Sequence, residues 1–347
     1  MSTDSLAHPT PDWIPGAGRA DVSPTRRMVS VRQLLTTVLP WLVLVIVYLV
    51  LVVKAPNYTQ AGPLSVLMYS VTILGVVAMG QLCVILIGGI DLSVSTVMTM
   101  TNVVSASIIG GGNTNDHLFK AVVVSLALGA VVGLLNGLII TKLGMPDMIA
   151  TLAMMTIVYG ALTLYSSRHL KSGYAPALTS FITKPVFGFL MPAALVWLAL
   201  SAVLILVLRK TSFGRRVYAV GLSRGASHAA GISVVRTTII LYVISGLSAA
   251  AAGVLLTGQL RGMQLASGTN YQLWSIAAVV LGGTSIFGGR GGYGNTIAGA
   301  AVIVLLVNGL LNILGISQAA REILYGLVIL AMLMVFRFGG KRDETAT

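Results

Sequence analysis

Charge is what this sequence has least of: 9% of its 347 residues are Asp, Glu, Lys or Arg, while 56% are hydrophobic and the mean hydropathy is +0.92. Soluble domains carry roughly 25% charged residues, so a water-borne globular protein is excluded. Acids are the scarcer sign, nine against 22 basic residues, for a net charge of +13. The basic residues sit at the ends of apolar runs rather than along one amphipathic face, so they report topology and speak against a nucleic-acid partner. Cysteine is nearly absent. Cys83 alone, inside an apolar run, gives no disulfide framework and no zinc-ligand spacing, and it reads as a small buried hydrophobe. His8, His117, His169 and His228 are scattered over tail and loops. They form neither a metal cluster nor a Ser/His/Asp set at membrane depth, so no metal, no cofactor and no intramembrane enzyme are expected.

What the sequence does have is a succession of apolar runs of about 20 residues, the length that crosses a hydrocarbon core of roughly 30 Å. The expected fold is all-α, a polytopic transmembrane helical bundle of about ten spans: 34–53, 64–87, 92–110, 120–141, 147–166, 190–208, 237–258, 273–287, 295–314 and 321–336. The third and eighth are short or broken by small and polar residues, so the rival is an eight-span bundle in which both are re-entrant. Residues 1–33, with Pro9, Pro11, Pro15 and Pro24, read as a disordered cytoplasmic tail without a cleavable signal. Residues 34–336 form the membrane domain, and 337–347 a C-terminal cytoplasmic tail. Charge placement tests this map, because cytoplasmic loops carry the excess of Lys and Arg. With the N-terminus inside, fifteen of the 22 basic residues fall on the cytoplasmic side, while Lys54, Lys120, Arg168, Lys171, Lys184, Arg261 and Arg321 fall outside. Both termini are therefore placed in the cytoplasm. The stretches GAVVGLLNG (129–137), SGLSAAAAG (245–253) and AGAA (298–301) supply the small residues through which membrane helices approach closely.

Four features carry candidate chemistry. The basic loop 209–236 is longer than the 2 to 8 residues that antiparallel helices need. Ser223 is placed to cap a short helix within it and Gly231 to end that helix. Such an element suits docking of a soluble partner, or it lies against membrane lipid headgroups. The glycine-rich LGGTSIFGGRGGYGN (281–295) lacks the Gly-Lys-Ser/Thr of a phosphate loop, and its glycines suit a tight re-entry or a close backbone crossing. Among the acids, Asp91, Asp147 and Glu322 lie near membrane depth, where an ionisable group is costly and is a functional candidate. None sits mid-span as a proton or sodium relay, which speaks against an ion-coupled carrier. The amides Gln81, Asn102, Asn136, Asn308 and Asn312 either line a translocation path for a hydroxylated solute or hold helices together.

Four stretches taken together resemble the permease subunit of bacterial ABC importers for ribose, xylose, arabinose, galactose and related compounds. They are AMGQLCVILIGGIDLSVST (78–96), GMPDMIATLAMMTIVYG (144–160), FGRRVYAVGLSRGASHAAGI (213–232) and YQLWSIAAVVLGGTSIFGGRGGYGNTIAGA (271–300), in one order along the chain. One departure is local. The family usually places an Asn-Ala-Phe-like or Asn-Pro-Phe-like sequence before Ile/Val-Ala-Thr-Leu, whereas this chain has Gly144, Met145, Pro146, Asp147 and Met148.

The resemblance implies that 209–236 is the coupling region that sits in a groove on a separate ATPase subunit, with Gly214, Arg215, Gly221, Arg224, Ala226 and Gly231 carrying the contact. It implies an inner-membrane location, a periplasmic sugar-binding protein that delivers a monosaccharide, and a second permease copy or a related permease. Branched-chain amino acid or nucleoside permeases are the nearest alternative. Gly88, Gly89, Asp91 and Ser93 form a family signature at the cytoplasmic side. The two glycines suit the end of the second span, and Asp91 or Ser93 can cap the third. This favours a structural turn near an inner gate over a sugar-binding carboxylate.

Overall fold

Prolines and glycines set where the apolar runs break into helices. The computed structural model describes residues 31–167 and 171–313, with positions 315, 320, 323, 326 and 327 beyond. Helix α1 (Val31–Lys54) gives way before Pro56, and α2 (Ala61–Ile85) runs back to the turn at Gly88 and Gly89. Next come α3 (Val94–Ile109) and α4 (Leu118–Lys142), the latter stopped by Leu143 and by Gly144 at φ +67°. Pro146 directly precedes α5 (Asp147–Ser166), while α6 (Pro176–Thr183) and α7 (Pro192–Lys210) start on proline, whose missing N–H costs nothing in a first turn. Two short helices, α8 (Ser212–Leu222) and α9 (Arg224–Ala229), lead into α10 (Val234–Leu260). The last described elements are α11 (Tyr271–Leu281) and α12 (Tyr293–Val304), which continues through a π-helical stretch to Ile313. No strand forms among the described residues beyond one bridge pairing Phe187 with Leu190.

Among the described residues, six helices are long and apolar enough to cross a membrane: α2, α4, α5, α7, α10 and Tyr293–Ile313. The 16 residues of α3 and 11 of α11 reach only about 24 and 16 Å at 1.5 Å per residue, less than the roughly 30 Å of a hydrocarbon core. The eighth expected span therefore ends early, at Leu281 rather than residue 287, because Gly282 and Gly283 turn the chain. The expected tail also yields its last residues, from Val31, to α1. Its remainder, residues 1–30, and the tail 337–347 lie outside the described residues. So does the tenth expected span, 321–336 with Glu322, apart from positions 323, 326 and 327.

The core is α2, whose residues Leu82 to Ile85, including the Cys83 thiol, are shut away from solvent. It packs against α10, α12, α11 and α7. Helices α4 and α10 meet through glycine: a side chain on Gly129 would overlap the Gly246 carbonyl, and one on Gly133 the Tyr242 carbonyl. Small residues thus do what the sequence assigned them, and van der Waals contact replaces the hydrophobic drive that lipid removes. A buried hydrogen-bond chain ties three more helices. Trp197 of α7 donates to the Tyr293 hydroxyl at 2.8 Å, and Tyr293 of α12 donates to the Gly75 carbonyl of α2 at 2.7 Å.

Between α10 and α11 the chain is irregular yet partly buried, and α3 serves its backbone. Asn102 donates to Thr257 Oγ1 (3.0 Å) and to the Gly262 carbonyl (3.1 Å), and accepts from the Gln264 N–H (2.9 Å). Thr99 Oγ1 accepts from the Gly268 N–H at 3.0 Å. Non-helical backbone inside a bundle persists only where protein groups satisfy it in this way.

Gly133→Val is expected to destabilise the purified protein by at least about 1–3 kcal/mol, the usual cost of overpacking. Gly62→Ala meets open space and should leave the melting midpoint in detergent unchanged. Equal midpoints for the two variants would remove the close-approach account of the α4–α10 seam.

Candidate functional site

The signature turn is built by the end of α2. Gly88 N–H donates to the Ile85 carbonyl (2.9 Å) and Gly89 N–H to that of Val84 (3.1 Å), with Gly88 at φ +75°, a left-handed geometry glycine adopts without strain. Asp91 follows and is 2% exposed. Its Oδ1 accepts from the Ser93 N–H (3.0 Å) and the Ser93 hydroxyl (2.6 Å), and its Oδ2 accepts from the Ser245 hydroxyl of α10 (2.7 Å). Asn136 of α4 donates to Ser93 Oγ at 2.9 Å. Burial pushes the Asp91 carboxyl above the usual carboxylate range, and the three donors pull it back. The expected cap of α3 needs correction. Ser93 occupies the cap position with no side-chain cap bond, and Asp91 instead folds the turn onto Ser93 while tying it to α10.

The 209–236 loop divides as its residues dictate. Thr211 Oγ1 accepts from the Gly214 N–H (3.2 Å) to start α8, and Ser223 Oγ accepts from the Ala226 N–H (3.2 Å) to start α9. Gly231, at φ +76°, follows the end of α9. Arg215, Arg216, Arg224, Ala226 and His228 are exposed on this pair of helices, whereas Gly214 is buried under the Leu208 carbonyl.

Beneath that surface, three loops meet backbone to backbone. The Gly289 N–H donates to the Leu86 carbonyl at 2.9 Å, and Gly221 lies so close that a side chain there would overlap Leu86 O. Gly288 packs between Gly88 and the Gly221 carbonyl. Tyr218 of α8 donates to the Gly291 carbonyl at 2.9 Å, and burial holds its phenol above the ordinary value, keeping it a donor. The junction therefore joins α8 to the turn after α2 and to the glycine-rich turn after α11. Beside it opens a cavity of about 570 Å³, lined among others by Gly88, Pro146, Asp147, Gly221, Arg224 and Phe287. Across the cavity, Arg224 Nη2 donates to Asp147 Oδ2 at 3.2 Å, with the arginine side chain 48% exposed. A pair this exposed contributes about 0–1 kcal/mol.

The amides separate. Asn102 and Asn136 are committed to protein partners, although Asn136 Oδ1 has none. Gln81 is fully buried with both amide atoms unpartnered. Asn308 is half-buried in the π-helical stretch and Asn312 is exposed. Tyr218 and Tyr242 had not been singled out from the sequence, and Ser245, Gly288 and Gly289 entered only as members of the stretches 245–253 and 281–295. Among the described residues no group of three His, Cys, Asp or Glu side chains is placed to hold a metal.

The apolar bundle, with an exposed basic helix pair seated on its turns, is matched by one protein-family model, described as branched-chain amino acid transport system / permease component, over residues 62–333. The chain belongs to this permease family. Similar proteins include a ribose import permease protein of Bacillus subtilis, 37% identical over 86% of this chain and 92% of its own length. An L-arabinose transport system permease protein of Escherichia coli is 33% identical over 87% and 91%, and a fructose import permease protein of Rhizobium meliloti 33% over 80% and 79%. No solved structure matches. The permease is thus an inner-membrane transport component and not itself an enzyme.

Gly221→Ala would force the permease's α8 off Leu86, and solute uptake should fall about tenfold or more, equivalent to ~1.4 kcal/mol of coupling, with the melting midpoint shifting less than for Gly133→Val. Unchanged uptake would show that the close approach is dispensable.

Proposed function

We propose that the permease is the membrane subunit of an ATP-binding-cassette importer carrying a monosaccharide, a ribose-type pentose, a hexose or a related polyol. The observation that carries this reading is the backbone junction at Gly221. An exposed, basic helix pair is joined to both glycine-rich turns of the bundle by close backbone contact and by the Tyr218 hydrogen bond, an arrangement suited to pass a push from a docked ATPase to an inner gate. The relatives named for ribose, arabinose and fructose support the sugar. A periplasmic binding protein delivers it, and ATP-driven closure of two ATPase domains shifts the bundle between outward-open and inward-open populations.

Ten crossings with both termini inside is the topology we favour, since it leaves α8 and α9 on the side richest in Lys and Arg. The partner across the path is a second permease copy. Support comes from α5, whose exposed face carries Ala153, Thr156, Gly160 and Thr163, small and hydroxylated residues suited to close approach and a wet path. Gly214, Arg215, Gly221, Arg224, Ala226 and Gly231 serve coupling, and Gly88, Gly89, Asp91 and Ser93 the inner turn. Of the translocation candidates, Gln81 has the strongest support, because its buried amide lacks a partner and such a group is costly without an alternative use. Asn102 and Asn136 serve helix and loop cohesion first, and Asn308 and Asn312 line the path if the π-helical stretch faces it.

The second reading is a branched-chain amino acid permease, which the description of the family model favours. Reconstitution with the cognate ATPase and binding protein separates the readings. Uptake of labelled D-ribose, L-arabinose or D-fructose that requires ATP is the expected result. ATP-dependent uptake of leucine in their place would favour the second reading, and uptake on a sodium or proton gradient without ATP would overturn both.

A further inference from the structure

Asp147 opens α5 directly after Pro146, and its carboxylate has neighbours on two sides. Toward water it accepts from Arg224, the first residue of α9. Toward the bundle lies Tyr242 of α10, fully buried, whose hydroxyl has no hydrogen-bond partner. Both oxygens crowd the same glycine: a side chain built on Gly89 would begin 3.0 Å from Asp147 Oδ2 and 2.8 Å from the Tyr242 hydroxyl. Asp91 is already engaged, its two oxygens taking Ser93 and Ser245. Asp147 accepts only from Arg224 and from no second side chain among the described residues, so it is the acceptor with capacity to spare.

Each contact is incomplete in a complementary way. The arginine is about half exposed and held by one hydrogen bond, so little free energy resists its withdrawal. A buried hydroxyl without an acceptor is a costly state, and it is relieved if the carboxylate turns inward. Gly89 leaves open the space through which that turn would occur.

We propose that Asp147 is a positioning residue exchanged between Arg224 of the coupling helix and Tyr242 of the bundle. Paired with Arg224, it holds α9 over the Gly88–Gly89 turn. When the ATPase draws α9 away, the carboxylate turns to Tyr242 and stabilises the displaced inner turn. The exchange rests on the reading of α8 and α9 as the ATPase-docking element. It goes beyond that reading by giving Arg224 a partner within its own chain rather than on the ATPase.

The test uses the complete transporter in liposomes, with labelled D-ribose, L-arabinose or D-fructose uptake and ATP hydrolysis read together. Asp147→Asn and Tyr242→Phe should each keep ATPase co-purification yet lower sugar moved per ATP by about threefold or more, the scale of one partly exposed ion pair, and Arg224→Gln should lower it by the same factor in the complexes that form. The Asp147→Asn/Arg224→Gln double variant should be no worse than either single, and Asp147→Glu, which keeps the charge, should recover most of the loss. If Arg224→Gln sheds the ATPase while Asp147→Asn transports normally, Arg224 acts on the ATPase directly and the exchange is overturned. Normal sugar per ATP in both Asp147→Asn and Tyr242→Phe overturns it as well. A wild-type transporter that shows no ATP-dependent uptake instead removes the importer reading, a result seen before any variant is compared.

Discussion

Contact between main chains at Leu86, Gly221 and Gly289 is the constraint around which one end of the bundle is arranged. A hydrogen bond from Gly289 to Leu86 and the absence of side chains at 221, 288 and 289 let three loops share a space that one methyl group would fill. Side-chain contacts yield by rotamer changes costing about a kcal/mol, whereas main-chain contacts transmit displacement with little give. Force applied to α8 is therefore delivered to the turns after α2 and α11 together, and through Asp91 and Ser245 to α10. The glycine seam between α10 and α4 then carries the motion into α4.

Much of this organisation was legible in the sequence. Helix positions over much of the chain followed from run length, and the division of the basic loop followed from Ser223 and Gly231, because caps act within a few residues. The shortness of α11 was not legible, since apolar character continues past Leu281 into Ile286 and Phe287 while the chain has already turned at Gly282 and Gly283. Partners were not legible either. Nothing local tells Asn102 to serve the backbone of residues 262–264, or Asp147 to face an arginine 77 positions away. Those choices are made by packing, and a polar residue within an apolar run announces only that some partner is required.

The two ends of the bundle are held by different means. Between α10 and α11, Asn102 and Thr99 hold an irregular segment through several side-chain hydrogen bonds to its backbone, and directed bonds fix both distance and orientation. At the end of α8, the ties are glycine contacts, the Gly289–Leu86 and Tyr218–Gly291 hydrogen bonds and a half-exposed ion pair.

Cys83, finally, lies wholly inside α2 and is the chain's sole thiol. The native protein is thus already a silent background for thiol chemistry. Single cysteines introduced along α5 or α9 can be spin-labelled, cross-linked or made fluorescent without first stripping native ones, and the distances they report will belong to the positions chosen.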